Sequence, residues 1–536
     1  MRVFTPEGFA GLTTPSAPSN VASRYLFDVA SSPPFQGGEC CRIAFTFLSR
    51  IIRSRPRLKS CFRFRMEIDL MQTRREFLST VALGTAGALT EMLYAQAPDP
   101  WREAQRILAR IRPPAFPNRD FDITKFGAAG DNKTDCTAAF ANAVNACNQA
   151  GGGRVVAPAG EYLTGAIHLR SNVNLHVSED ATIRFNRDPG KYPNVFTRWE
   201  GVELMNYSPF IYAFEQENIG ITGRGTIDGN CDCANWWPWK GRTNCGWKKG
   251  DVNQDADRNR LFEMAEKGVP VSERVFGQGH FLRPQFIEPY RCRNVLIEGV
   301  RLLNSPMWQV HPVLCSNVTV RDLYIHSLGP NTDGCDPESC TDVLIKNCYF
   351  DTGDDCIAIK SGRNADGRRL HTPAQNIVIQ GCRMKDGHGG VTIGSEISGG
   401  VRNVFAENCQ MDSPNLDNVV RLKNNAMRGG LLDGIFVRNI TVGQVGMAAV
   451  SIDFYYEEGE SGKYIPVVRN VSIENLKTRK SRYALYLRGF KNAPIEGVSL
   501  NNCDFAGVAE PSILENVKNI SVRKVRINGL EMKTAG

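Results

Sequence analysis

The 536-residue chain has no run of 18 or more apolar residues, so nothing in it reads as a membrane-spanning helix. Its Gly-rich stretch FGAAGD (126–131) has neither the GxGxxG nor the GxxxxGK[ST] spacing that would cradle a phosphate. Strong charge is missing too. The formal net charge is +8, but the excess lies at the front: residues 1–97 hold 12 lysines and arginines against 7 acids, and residues 98–536 hold 52 against 49. So even a balance excludes the basic stripe of a nucleic-acid binder. No amphipathic helix separates the strand-like phrases of the body, which points to strands stacked directly on one another.

What is present begins with an address. MQTRREFLSTVALGTAGALTEMLYAQA (71–97) places Arg74-Arg75 before Phe77-Leu78, then a Gly/Ala-rich apolar stretch, then Ala95-Gln96-Ala97 as a small-x-small cleavage site. This is the pattern of a twin-arginine export signal. It implies a bacterial precursor handed to the twin-arginine machinery, with no membrane anchor in the mature protein and a periplasmic or secreted destination. Residues 1–70 are rich in Arg, Ser and Pro without a sustained period. They read as an upstream extension, with translation starting at Met66 or Met71, or as a disordered leader. The mature body is expected to run from near Pro98 to 536 as one domain.

That body repeats one phrase: a corner residue, usually Asn, followed by alternating apolar residues. It reads NIGITG (218), NVLIEG (294), NVTVRD (317), DVLIKN (342), NIVIQG (376), NVFAEN (403), GIFVRN (434), NVSIEN (470), GVSLNN (497) and NISVRK (519). Alternation is a strand signal. A recurrence mostly every 22 to 36 residues marks a solenoid, whose units are too small to bury a core alone. The expected fold is all-β, a right-handed single-stranded parallel β-helix. Residues 122–165 read as strand, turn, helix, Gly turn, strand; the helix, capped by Thr134 or Asp135, would close the open end of the solenoid.

Of 17 cysteines, Cys348, Cys382, Cys409 and Cys503 occupy the seventh position of their phrases, where other repeats carry Val300, Leu323, Leu476 and Val525. They read as stacked, reduced core residues. Cys231, Cys233, Cys245, Cys335 and Cys340 fall in loops and are the better disulfide candidates. Cys231, Cys233 and Cys245 also have a metal-like spacing but lack a fourth ligand, so no metal and no cofactor are expected. Residues 229–291 interrupt the repeats with an insertion bearing Trp236, Trp237, Trp239 and Trp247. It reads either as a local hydrophobic cluster or as a cleft wall whose rings stack on sugar faces.

Polar residues recur at matching places in four successive repeats: Asp333 in NTDG, Asp354 and Asp355 in GDD, His388 in GHGG, and Arg421 and Lys423 in RLK. One coil of a β-helix is about 4.8 Å from the next, so these should form one patch. Carboxylates crowded together cannot all ionise, and one should hold a proton beside others that act as bases, as glycoside hydrolysis requires. The two cations suit a substrate carboxylate. The adjacent Asp354 and Asp355 would point to opposite faces in a regular strand, so a turn or bulge is expected there.

NTDG, GDD, GHGG and RLK, in this order on a parallel β-helix, resemble the polygalacturonases of glycoside hydrolase family 28, over most of residues 120–530. The resemblance implies an inverting hydrolase of α-1,4 galacturonosyl linkages in pectin. Asp354 looks like the general acid, and Asp333 and Asp355 like the pair that activates water. His388 is similar to the histidine supporting the acid, and Arg421 and Lys423 resemble the residues that hold the uronate carboxylate. Asn331 resembles a substrate contact, as does Tyr456, with Tyr455 the alternative. The insertion and SPMWQVHPVL (305–314) look like the exo-acting bacterial members. Other readings are a rhamnogalacturonan or xylogalacturonan hydrolase, a β-eliminating pectate lyase with calcium, or a glycan-binding β-helix without activity.

Overall fold

The computed structural model describes residues 99–533. The leader and the export segment lie outside the described residues. Among those described, no helix is long and apolar enough to cross a membrane.

The repeated phrases are parallel strands stacked in register. Ser316–Arg321 pairs with Thr341–Lys346, which pairs with Ala374–Gln380, then Val401–Glu407, then Leu431–Gln444 and Val467–Lys480. Each coil continues into a second face, in which Tyr324–Ser327 lies on Tyr349–Thr352. The third face is a six-stranded sheet in the order Ile357–Ile359, Gly387–Ile393, Leu416–Lys423, Ala448–Asp453, Tyr483–Arg488, Ile513–Glu515. The result is the right-handed parallel β-helix expected from the repeat.

The corner residue explains why the phrase begins with Asn. Asn218, Asn294, Asn317, Asp342, Asn376, Asn403, Asn470 and Asn519 all have φ between 53° and 60°. Asn and Asp tolerate this left-handed conformation better than other non-glycine residues. Their side chains then hydrogen-bond from coil to coil: Asn218 Nδ2 donates to Asn172 Oδ1 at 3.0 Å, Asn294 to Asn218 at 2.8 Å, and Asn317 to Asn294 at 2.7 Å. Corner and ladder are one device, in which the residue that accepts the turn also satisfies its neighbour's amide.

Inside the coil, Cys348, Cys382, Cys409 and Cys503 are buried and free, as read from their slot. The loop cysteines divide. Cys233 and Cys245 form a disulfide, while Cys231, Cys335 and Cys340 are buried free thiols. The disulfide removes two of the three ligands from the metal-like trio. Cys340 belongs to a second stack, in which the Cys292 N–H donates to Cys315 Sγ and the Cys315 N–H to Cys340 Sγ.

The helix Thr137–Gln149 closes one end of the coil, burying Ala139, Phe140, Ala143, Val144 and Cys147. Neither candidate is the cap: Cys136 takes the N-cap position without a side-chain bond, and Asp135 just before it accepts from the Thr137 N–H at 2.9 Å. A helix the sequence reading did not single out, Trp101–Arg110, lies against the outside of the sheet. Trp101, Ala104 and Ile107 pack with Val378 and Phe405 there, and Arg110 makes a two-point contact with Asp342.

Candidate active site

Four coils bring the polar residues together. Asn331 and Asp333 lie in the turn after Tyr324–Ser327, and Asp354 and Asp355 in the turn between Tyr349–Thr352 and Ile357–Ile359. His388 opens the strand Gly387–Ile393, and Arg421 and Lys423 end the strand Leu416–Lys423. The adjacent aspartates sit in a turn, as their spacing demanded. Gly353 in front of them is obligatory, because a Cβ there would lie 2.0 Å from the Gly329 carbonyl oxygen of the coil below. Arg421 and Lys423 share a face because strand side chains alternate, and Leu422 between them is buried in the core.

The three carboxylates can each offer an oxygen within 4.8 Å of the other two. They differ in surroundings. Asp355 is fully buried and receives Lys423 Nζ at 2.7 Å, Arg421 Nη1 at 3.3 Å and the Thr392 hydroxyl at 3.0 Å. Burial works to raise its pKa, but Lys423 and Arg421 outweigh burial and hold it below the ordinary carboxylate value. Asp354 is the most open of the three, with 18% of its side chain exposed against 4% for Asp333. It accepts from His388 Nδ1 at 2.9 Å and from Asn331 Nδ2 at 3.4 Å. Burial pushes Asp354 up, but the His388 hydrogen bond and charge, with Lys423 and Arg421, bring it below its usual value. The same hydrogen bond lifts His388 to about 9. Asp333 goes the other way. Burial and the charges of Asp336 and Asp354 raise it well above the ordinary value, against the pull of Lys360 at 3.6 Å.

The cluster therefore keeps a proton, as the crowding argument required. The deep carboxyls Asp333 and its buried neighbour Asp336 are raised, Asp336 by burial above all, with both Asp336 oxygens and Asp333 Oδ1 lacking a hydrogen-bond partner. Asp354, the residue that the resemblance makes the acid, is shifted the other way. The physical reason is His388, which as an imidazolium rewards an ionised Asp354.

Asn331, Asp333, Asp354, His388, Lys423 and Tyr456 line one cleft. Tyr456, not Tyr455, is the tyrosine at the cleft, lying 5.1 Å from Lys423 Nζ and 5.6 Å from the Arg421 guanidinium. Tyr455 packs edge-on against Phe490. From SPMWQVHPVL, Trp308 reaches the cleft beneath Lys360, whose Nζ stands 4.1 Å from the ring centre.

The insertion contributes differently from the sugar-stacking wall. Trp236 is buried among Tyr192, Tyr207 and Phe210, and Trp239 packs on Trp236 and Phe281. The hydrophobic-cluster reading holds for these rings. What the insertion presents to the cleft is Lys240, Arg242 and Arg258. Arg283, near its end, is fully buried and donates to the carbonyls of Pro306 and Pro330 and to Asn331 Oδ1 at 2.8 Å. That contact turns the Asn331 amide so that its NH2 faces Asp354. None of these cations carried a motif in the sequence.

Comparison with known proteins agrees with this geometry. Residues 277–525 match the model of "Glycosyl hydrolases family 28". A crystal structure of a hyperthermoactive exopolygalacturonase from Thermotoga maritima is 46% identical, with a TM-score of 0.78, covering 80% of this chain and 96% of that one. An exo-poly-alpha-D-galacturonosidase of Dickeya chrysanthemi is 26% identical over 466 residues, 75% of this chain and 74% of that protein. An endo-polygalacturonase of Pectobacterium carotovorum is 27% identical over 413 residues, 73% of this chain and 89% of that protein. With a relative this similar spanning nearly its full length, and with the carboxylate cluster in place, the chain belongs to glycosyl hydrolases family 28.

Proposed function

We propose that the protein hydrolyses α-1,4 galacturonosyl linkages of pectin from chain ends, outside the cytoplasm, after export directed by residues 71–97. The observation that carries the activity is the cleft itself. One comparatively open carboxylate, Asp354, stands beside buried Asp333 and Asp355, with Arg421 and Lys423 adjacent and the insertion closing round it. The Cys233–Cys245 disulfide supports an oxidising compartment.

Arg421, Lys423 and Tyr456 bind a uronate, and Asn331 orients it. Asp354 gives its proton to the glycosidic oxygen, and Asp333 with Asp355 draws a proton from the attacking water. The low pKa of Asp354 in the free site fits this sequence of events. A bound uronate neutralises Arg421 and Lys423 and excludes water; both changes raise the pKa of Asp354, which takes up the proton that Asp333 gives up to act as base. Once it has donated, the ionised Asp354 is held by His388 Nδ1 at 2.9 Å. A general rule places the carboxyls of an inverting pair roughly 6.5–9.5 Å apart, wider than this cluster, so inversion rests on the family resemblance and is to be read from the product anomer by NMR.

Incubation with polygalacturonate should release short galacturonates while viscosity falls slowly, with no absorbance from a new double bond. Asp354→Asn should lose about a thousandfold in kcat while oligogalacturonate binding persists. Near-normal turnover by that variant overturns the assignment, and an unsaturated product would move the protein to the lyase reading. Against that reading stand Lys360, Lys423, Arg421 and His388, which already pair with these carboxylates and offset the charge a calcium ion would need.

A further inference from the structure

The insertion is anchored by its rings and aims its charges. Between Cys233 and Cys245 the disulfide closes a loop that contains Trp236, Trp237, Trp239, Lys240 and Arg242. Trp236 is buried in an aromatic nest, and Trp237 Nε1 donates to the Ser305 carbonyl at 2.9 Å. The Trp237 ring also lies where a Cβ on Gly329 would stand, 2.2 Å from that position, just ahead of Asn331. Three tryptophans thus fix the loop, and its short helical turn, Trp237–Lys240, delivers Lys240 and then Arg242 to the cleft.

The ion pairs of the cleft single these two out. Arg258 pairs with Glu200 at 2.8 Å and approaches Glu457; Lys360 pairs with Asp333 and Glu396; Lys423 pairs with Asp355; His388 pairs with Asp354. Among the described residues, Lys240 and Arg242 are the cleft-lining cations with no carboxylate within 4.0 Å. Burial lowers the pKa of Lys240, with Glu200 acting against it from farther away. Two unpaired cations held in place by a cross-linked, aromatic-pinned loop form a prepared anion site.

We propose that Lys240 and Arg242 are specificity-determining residues that bind a second uronate carboxylate of the substrate, distinct from the one assigned to Arg421 and Lys423, and that the Cys233–Cys245 bond holds them at that position. This rests on the substrate being a polyuronate. Exo action then comes from charge recognition by the insertion rather than from aromatic stacking.

The test uses trigalacturonate and polygalacturonate with the full-length enzyme. Lys240→Ala combined with Arg242→Gln should raise KM about tenfold or more with kcat nearly unchanged. It should also flatten the fall of kcat/KM with added salt. Lys240→Arg should restore most of the affinity. Cys233→Ser with Cys245→Ser should raise KM in the same sense, as should reduction of the wild type. Lys248→Ala, outside the ring and outside the cleft, should leave KM alone. A double variant with wild-type KM and salt dependence overturns the proposal, as does a loss confined to kcat. If the double variant unfolds, the two single variants, each melted by circular dichroism, give the same readout. Failure of the underlying reading looks different: the wild type itself would release no galacturonate.

Discussion

Replacing His388 with Ala tests the electrostatic account of the acid directly. His388 Nδ1 lies 2.9 Å from Asp354 Oδ1, and its pKa rises to about 9. At ~1.36 kcal/mol per pH unit, a rise from the ordinary value near 6.5 corresponds to roughly 3.4 kcal/mol. Nearly half of the imidazole, 46%, is open to water, and screening leaves about 1–1.5 kcal/mol. The sign follows from the direction of the two shifts. A raised histidine gives stability that is complete below its unfolded value near 6.5 and lost as pH climbs through about 9. The depressed Asp354 gives stability that is present above the unfolded aspartate value and lost on acidification. The pair therefore stabilises the fold between about pH 4 and pH 9. His388→Ala should cost about 1 kcal/mol in urea denaturation at pH 6 and almost nothing at pH 9.5. The pH–kcat/KM profile of the same variant should move its alkaline limb upward, because Asp354 without the imidazolium holds its proton more readily. Equal destabilisation at both pH values, or an unmoved alkaline limb, refutes the reasoning.

Two further outcomes follow from the packing. Lys423→Met should destabilise the protein by about 3 kcal/mol, measured by thermal denaturation, because it leaves fully buried Asp355 with only the Thr392 hydroxyl and the longer Arg421 contact. Asn403→Ala should cost about 2 kcal/mol, combining left-handed strain at φ 54° with the lost amide bond to Asn376; Asn403→Gly should recover the strain part but not the bond.

The solenoid was legible because its rule is local and repeated. A corner that wants positive φ, followed by period-two apolar residues, states the coil ten times over, and the strands it predicts appear in register. The placement of Asp333, Asp354, His388 and Lys423 in one cleft was legible for the same reason, since in a solenoid equal phase in the repeat means adjacency in space. The core cysteines followed from their slot, but the disulfide partner did not. Nothing in the spacing of Cys231, Cys233 and Cys245 says which two approach.

Tertiary structure decided the rest. The insertion has no repeat to set its phase, so only packing shows that Trp236 and Trp239 turn inward while Lys240 and Arg242 face the cleft. Arg283 carries no motif and is joined to Asn331 only by a contact across 48 residues. The charge states were equally beyond the sequence. Crowding predicts that one carboxyl keeps a proton, but which one depends on distances, on the imidazolium beside Asp354 and on the deeper burial of Asp333. The sequence by itself determined the coil and the assembly of the polar column, because both depend on local conformation repeated at a fixed phase. The fold alone decided the carboxyl shifts, the anchoring of the insertion and the charges it turns to the cleft, because these depend on fields and contacts between segments that share no phase.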